Sequence, residues 1–189
     1  MKELLKEITP TIRNLGFKGS GQNYYLIDED VVMVVNFQKS SGGNRFYINL
    51  GVEPLCLIQD QEPKKVKEYQ CSFRKRVSPP EDLLGWPYEL SSQEVDEIND
   101  KLISGFNNYL TPLSKIRMAI AEAEPNKLLG NDNSNIYGGE HALTYLKLAM
   151  LAYEYAQETK AQKYAQLGLN ICKPQAESLL ASLKKLAST

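Results

Sequence analysis

The chain has 189 residues, 42% of them hydrophobic and 24% charged, with a formal net charge of −1. That composition describes an ordinary folded protein of one large or two small domains, able to bury roughly two-thirds of its unfolded surface. A charge so near zero gives no overall pull toward nucleic acid or anionic lipid, so either would need a local patch.

Three widely separated cysteines (Cys56, Cys71, Cys172) and a single histidine leave no zinc constellation and no CxxC pair. No apolar run approaches the roughly 18 residues that a membrane span needs. The opening MKELLKEITP has acids among its bases and no signal-peptide core. The expectation is a cytoplasmic protein with reduced thiols, no cofactor, no metal and no membrane segment.

Leu4, Leu5, Ile8, Ile12 and Leu15 recur at helical spacing, so residues 2–15 read as a helix. Gly16 follows as a left-handed stop. Pro10 predicts a kink or restart, because proline removes one hydrogen bond and crowds the turn before it. Residues 17–21 form a glycine-rich connection, and 22–27 a strand with Tyr24 and Leu26 opposite Asn23, Tyr25 and Ile27. Asp28-Glu29-Asp30 then turns the chain into a hairpin over residues 31–52.

The hairpin is the clearest pattern in the chain. Val31, Met33, Val35 and Phe37 alternate with Val32, Val34, Asn36 and Gln38, the period of two that a pleat imposes. On the return, Phe46, Ile48, Leu50 and Val52 alternate with Arg45, Tyr47, Asn49 and Gly51. One face is apolar throughout; the other is apolar at one end and polar toward the Ser-Gly-Gly turn. A slip of one residue would bury Asn36 and Asn49, so the pattern specifies the register.

Residues 53–66 read as a loop, and 69–77 as a further strand with Cys71, Phe73, Lys75 and Val77 on one face. Ser91 and Glu94 form a capping box that opens a helix over residues 91–110, with Val95, Ile98, Leu102, Phe106 and Tyr109 on one side. Thr111-Pro112 reads as N-cap and first residue of another helix, to about Ala123. Residues 124–139, rich in Asn, Asp, Gly and Ser, are the best linker. Beyond them a helix over 140–157 is apolar nearly all round and calls for neighbours on every side. Two more helices follow, near 160–172 and 174–187.

Several short motifs carry a family resemblance. Gly16-Phe17-Lys18, Tyr24-Tyr25, the stretch from Val34 to Ser40 and the stretch from Phe46 to Val52 occur in the order seen in a bacterial family. Over roughly the first 110 residues the chain resembles the family called domain of unknown function 4304. The resemblance implies an α+β domain with an antiparallel sheet and carries no activity. Leu146, Ala149, Ala152 and Tyr153, followed by Ala161, Tyr164, Gly168 and Leu169, are similar to one tetratricopeptide helix pair. The usual glycine of its first helix is missing.

The candidate chemistry is thin. Asn36, Gln38, Lys39, Arg45, Tyr47 and Asn49 could make a ligand-binding surface, since amides pair donors with acceptors and arginine presents a fork to carboxylate or phosphate. A sheet with one wet face would need polar residues there in any case. Lys64, Lys65, Arg74 and Arg76 could meet nucleic-acid phosphates, but acids flank them, and a charged edge strand explains them as well.

Other motifs carry less. Gly16-x-x-Gly19-x-Gly21 lies between helix and strand, the reverse of the order a phosphate loop needs. His141 has no visible triad, with only Cys172 or a serine to act on. Glu81-Asp82 and Asp96-Glu97 are sequence neighbours, about 100° apart on a helix, and make no facing dyad. Trp86 suits a core plug better than a partner anchor.

The expected architecture is α+β. It comprises an N-terminal helix, an antiparallel sheet of about four strands covered on one face by helices, and a C-terminal helical extension. The expected boundaries are a domain over 1–123, a linker over 124–139 and an extension over 140–189 docked on the first domain. The expected role is non-enzymatic, a cytosolic module whose partner is another protein. The alternatives are a small-molecule site or enzyme at the polar end of the hairpin and, behind that, nucleic-acid binding through residues 64–76.

Overall fold

The alternation in residues 31–52 is realised as β3 (Val31–Lys39) and β4 (Arg45–Pro54), paired antiparallel with Val35 opposite Leu50 and Asn36 opposite Asn49. The computed structural model describes residues 2–79, 85–129, 134–137 and 141–189. It divides into two compact units, Met1–Ser114 and Lys115–Thr189.

In the first unit, α1 (Lys2–Asn14) leads into β1 (Lys18–Ser20) and β2 (Asn23–Ile27). After β3 and β4 come three 3-10 turns, Leu55–Leu57, Pro63–Lys65 and Glu68–Gln70, then β5 (Phe73–Val77) and β6 (Trp86–Pro87). The sheet has six strands in the order β1-β2-β3-β4-β5, with β6 pairing β4 beyond the end of β5, and every pairing is antiparallel.

One face of the sheet is dry. Phe37, Phe46, Ile48 and Val52 have no exposed surface, and Ile8 and Ile12 of α1 are buried with them. α2 (Ser92–Gly105) adds Val95, Ile98 and Leu102. The helix comes close enough that a methyl group on Gly105 would lie 2.7 Å from Leu50. Trp86 is buried in this core and donates its Nε1–H to the Val77 carbonyl at 3.0 Å, so the tryptophan is a core plug.

Four local expectations need correction. α1 runs through Pro10 with no restart, and the Thr9 hydroxyl donates to the Leu5 carbonyl beside it. The connection after Gly16 contains a short strand, β1, folded back on β2 around Gly21, which takes a φ of +62°.

The third correction is at Cys71. Residues 68–70 curl into a 3-10 turn, so β5 starts only at Phe73 and Cys71 packs on the opposite face of the sheet. The fourth is at Thr111, which is helical and caps nothing. α2 passes through one π turn, Phe106–Leu110, into α3 (Thr111–Ser114), and the break falls at Lys115. Pro112 has no N–H for the Asn108 carbonyl, and the wider turn just ahead of it accommodates that loss.

The second unit holds α4 (Ile116–Glu122), the short α5 (Pro125–Leu128) and α6 (Ser134–Tyr137), and then α7 (Ala142–Glu154), α8 (Glu158–Ile171) and α9 (Glu177–Ala187). α7 and α8 form a hairpin, and α9 packs against both, α4 against α7 and α5 against α8. A methyl group on Gly168 would come within 2.7 Å of Leu183 and 3.1 Å of Tyr145. Gly168 therefore marks where α8 passes close to both α9 and α7. Lys160 fixes the end of α4, its ammonium donating to the carbonyls of Ile120 (2.8 Å), Ala121 (2.6 Å) and Ala123 (3.1 Å). Cations belong at such a C-terminus, where carbonyls lack helical partners. Among the described residues no helix is long and apolar enough to cross a membrane.

Candidate functional site

The sheet's other face is divided in two, as the sequence pattern of the hairpin anticipates. At one end Val32 and Val34 are covered by Val66 and Cys71, with Tyr25, Leu55 and Ile58 at the margin, so the 3-10 segment seals a second small core. Gly51 lies beneath it, since a methyl group there would meet the Cys71 sulfur at 2.7 Å. Glu68 is buried at its edge, and Arg74 clasps it with Nε at 2.7 Å and Nη2 at 3.2 Å from the two carboxylate oxygens. That hydrogen-bonded pairing raises the Arg74 pKa above its ordinary value.

The other half is polar. Three successive registers align Asn23 with Asn36, Asn36 with Asn49, and Asn49 with Arg76, so one row of side chains crosses four strands. Arg76 Nε donates to Asn49 Oδ1 at 3.1 Å. The Asn49 amide nitrogen donates to Gln38 Oε1 at 3.1 Å and Asn36 Oδ1 at 3.4 Å. The Asn36 nitrogen in turn donates to Asn23 Oδ1 at 3.0 Å and to the Gln22 backbone carbonyl at 3.3 Å.

The direction of this ladder is determined by its ends. A guanidinium can only donate and a backbone carbonyl can only accept, so every amide between them has one orientation that satisfies both neighbours. All four amide oxygens thus accept from within the ladder. The N–H groups that the ladder leaves over are those of the Asn23 and Gln38 amides and the terminal nitrogens of Arg76, beside amide oxygens that each already accept one bond. The Arg76 guanidinium lies 4.2 Å from the centre of the Tyr47 ring, which holds its plane in place.

The sequence-predicted ligand residues are therefore only partly gathered. Asn36, Gln38, Arg45, Tyr47 and Asn49 share this face, and Arg45 donates to the Gly85 carbonyl at 2.8 Å. Lys39 follows Phe37 in the strand alternation and belongs to the opposite face.

The basic segment is split. Lys64 and Lys65 sit beside β2, paired with Glu62 at 3.1 and 3.3 Å, while Arg74 and Arg76 lie on β5, three strand spacings or about 14 Å away. Asn23 completes the row although the hairpin pattern alone does not single it out; its register against Asn36 was the available signal. Four cavities lined by described residues have no ladder side chain in their walls.

Of the remaining candidates, His141 is the exposed N-cap residue of α7, without a side-chain capping bond, and Cys172 follows α8. Asp96 and Glu97 are neighbours on α2. Glu81 and Asp82 lie outside the described residues. Among the described residues no three His, Cys, Asp or Glu side chains cluster as metal ligands.

A family model described as a domain of unknown function, DUF4304, matches residues 8–115, more than half of the chain. The chain belongs to that family. The DUF4304 match ends at the boundary of the sheet unit, so the ladder lies inside the family's domain and the helical unit outside it. No curated protein and no solved structure matches the chain.

Proposed function

We propose that the DUF4304 sheet unit is a non-catalytic binding module. Its ligand is an acceptor-rich acidic segment of a partner protein, laid on the outward donors of Asn23, Gln38 and Arg76. The observation that carries this reading is the polarity of the ladder. Each of its amide oxygens already accepts a bond from within the row, and a carboxylate is the group that complements the amide and guanidinium donors left over. The lack of a proton shuttle supports the non-catalytic part. Amides do not titrate, and phenol and guanidinium side chains do so far from neutrality. Arg45, on the same face, adds positive charge at the rim. Nucleic acid is a poorer fit, because Arg74 is neutralised by Glu68 and Lys64 and Lys65 by Glu62.

Calorimetric titration of the full chain at low ionic strength tests the reading, with an acetylated triglutamate and inorganic phosphate as probes. Triglutamate is expected to bind with a Kd on the order of 1 mM, as a few exposed contacts allow, and Arg76→Gln should weaken it several-fold. Unchanged binding by Arg76→Gln, or no heat with either probe, would remove the ladder as the site. Binding of phosphate alone would move the ligand class to phosphorylated partners.

A further inference from the structure

The helical unit carries a surface that its own packing does not use. Along α7, Leu143, Leu146, Met150 and Tyr153 recur with steps of three, four and three residues, a single stripe on one side of the helix. Leu143, Met150 and Tyr153 are 52%, 39% and 44% exposed, whereas the opposite side of α7 (Leu148, Ala149, Leu151, Ala152) has no exposed surface. Beside the stripe runs α9, and the two helices enclose a groove of about 330 Å³ lined by Leu146, Met150, Tyr153 and Leu186. Glu154 stands on the α7 lip and Lys185 on the α9 lip, and among the described residues neither makes an ion pair. An apolar strip rimmed by charge marks an association surface.

We propose that this groove is where a second copy of the chain docks, about a two-fold axis running along the groove. α7 and α9 point the same way, because each is antiparallel to α8. A two-fold parallel to them lays α7 of one copy on α9 of the other. Glu154 then faces Lys185 of the second copy, and Lys185 faces its Glu154, so the surface complements itself twice over in charge. Met150 and Tyr153 fill the facing groove. A two-fold across the helices would instead set α7 on α7 and Glu154 against Glu154.

Helices of 13 and 11 residues are roughly 20 and 17 Å long, so the patch covers about 400 Å² per copy, and the pair buries about 800 Å². That is below the size of a permanent dimer, and the association is therefore weak and concentration-dependent.

Sedimentation equilibrium of the full chain over a wide concentration range reads this directly. The average mass should rise from one chain toward two as concentration increases. Met150→Glu, on the solvent side of α7, should hold the chain monomeric with an unchanged circular dichroism spectrum and melting temperature. Glu154→Lys and Lys185→Glu should each weaken self-association about tenfold, and the two together should restore it. A single-chain mass at every concentration would overturn the proposal and leave the groove to a different partner. Dimerisation that survives Met150→Glu, or a double charge swap that fails to restore it, would overturn this interface.

Discussion

Asn49 is 3% exposed and yet lies on the polar face of the sheet, because its neighbours in the row close over it. Replacing it by leucine leaves Gln38 Oε1 and Asn36 Oδ1 without their donor and Arg76 Nε without its acceptor. Gln38 and Arg76 are exposed and can turn to water, so the cost is that of ordinary hydrogen bonds, about 0.5–1.5 kcal/mol each. Asn49→Leu should accordingly lower the melting temperature by roughly 2–4 °C per kcal/mol in a chain of this size, read by calorimetry.

The buried tyrosines make a second prediction at this scale. Burial raises the pKa of Tyr109, Tyr137 and Tyr164 above the ordinary phenol value of about 10. Their neutral state favours the fold fully below that ordinary value. The contribution is lost as pH rises above it, because the unfolded chain then releases protons that the folded chain retains. Of the 11 tyrosines, these three should stay silent in an ultraviolet titration until alkaline unfolding exposes them. Normal titration of all 11 with the fold intact would contradict their burial.

At the scale of elements, legibility in the sequence followed how local the signal was. The β3–β4 register could be read because alternation over nine and ten residues leaves no other pairing that keeps Asn36 and Asn49 out of the dry core. The α2 start could be read because Ser91 and Glu94 cap each other, with Glu94 Oε2 accepting from both the backbone and hydroxyl of Ser91 at 2.8 Å. Cys71 was misplaced because strand parity was extended back through a segment that curls into a turn. Thr111 was misread because a π turn lets a helix pass a proline that ordinarily starts one. At the site, the hairpin pattern singled out Asn36, Gln38, Tyr47 and Asn49. It missed the use of Asn23, and Arg76 was grouped with the basic segment, since pairing across four strands is a long-range fact.

Gly51 tests the small second core. An added methyl group would meet the Cys71 sulfur at 2.7 Å and its Cβ at 3.0 Å. Gly51→Ala should therefore push the 3-10 segment off the sheet and cost about 1–3 kcal/mol, the range for overpacking. The Cys71 thiol should then react with an aromatic disulfide reagent faster than in the parent chain. An unchanged rate would contradict the seal.

At the scale of the whole molecule, the unit boundary falls at Ser114, nine residues before the end expected from composition. The residues between belong physically to the helices. Ile116 and Ile120 of α4 are fully buried, and Lys160 on α8 holds the end of that helix. α7, apolar nearly all round, finds most of its neighbours in α4, α8 and α9 of its own unit. A fragment spanning 115–189 should melt cooperatively by circular dichroism, and one spanning 124–189 should not, having lost α4. Equal melting of the two would contradict the assignment of α4.

The central claim is that the polar face of the sheet has a direction, with every amide oxygen accepting from a neighbour in the row and the leftover N–H groups of Asn23, Gln38 and Arg76 available to a ligand. Side-chain amide NMR of the full chain measures both halves of it at once. The account predicts that the Asn49 amide protons exchange slowly with solvent and barely shift on addition of triglutamate, while the Asn23 and Gln38 amides and the Arg76 guanidinium shift together. Fast exchange at Asn49, or triglutamate shifts confined to some other surface, would contradict it.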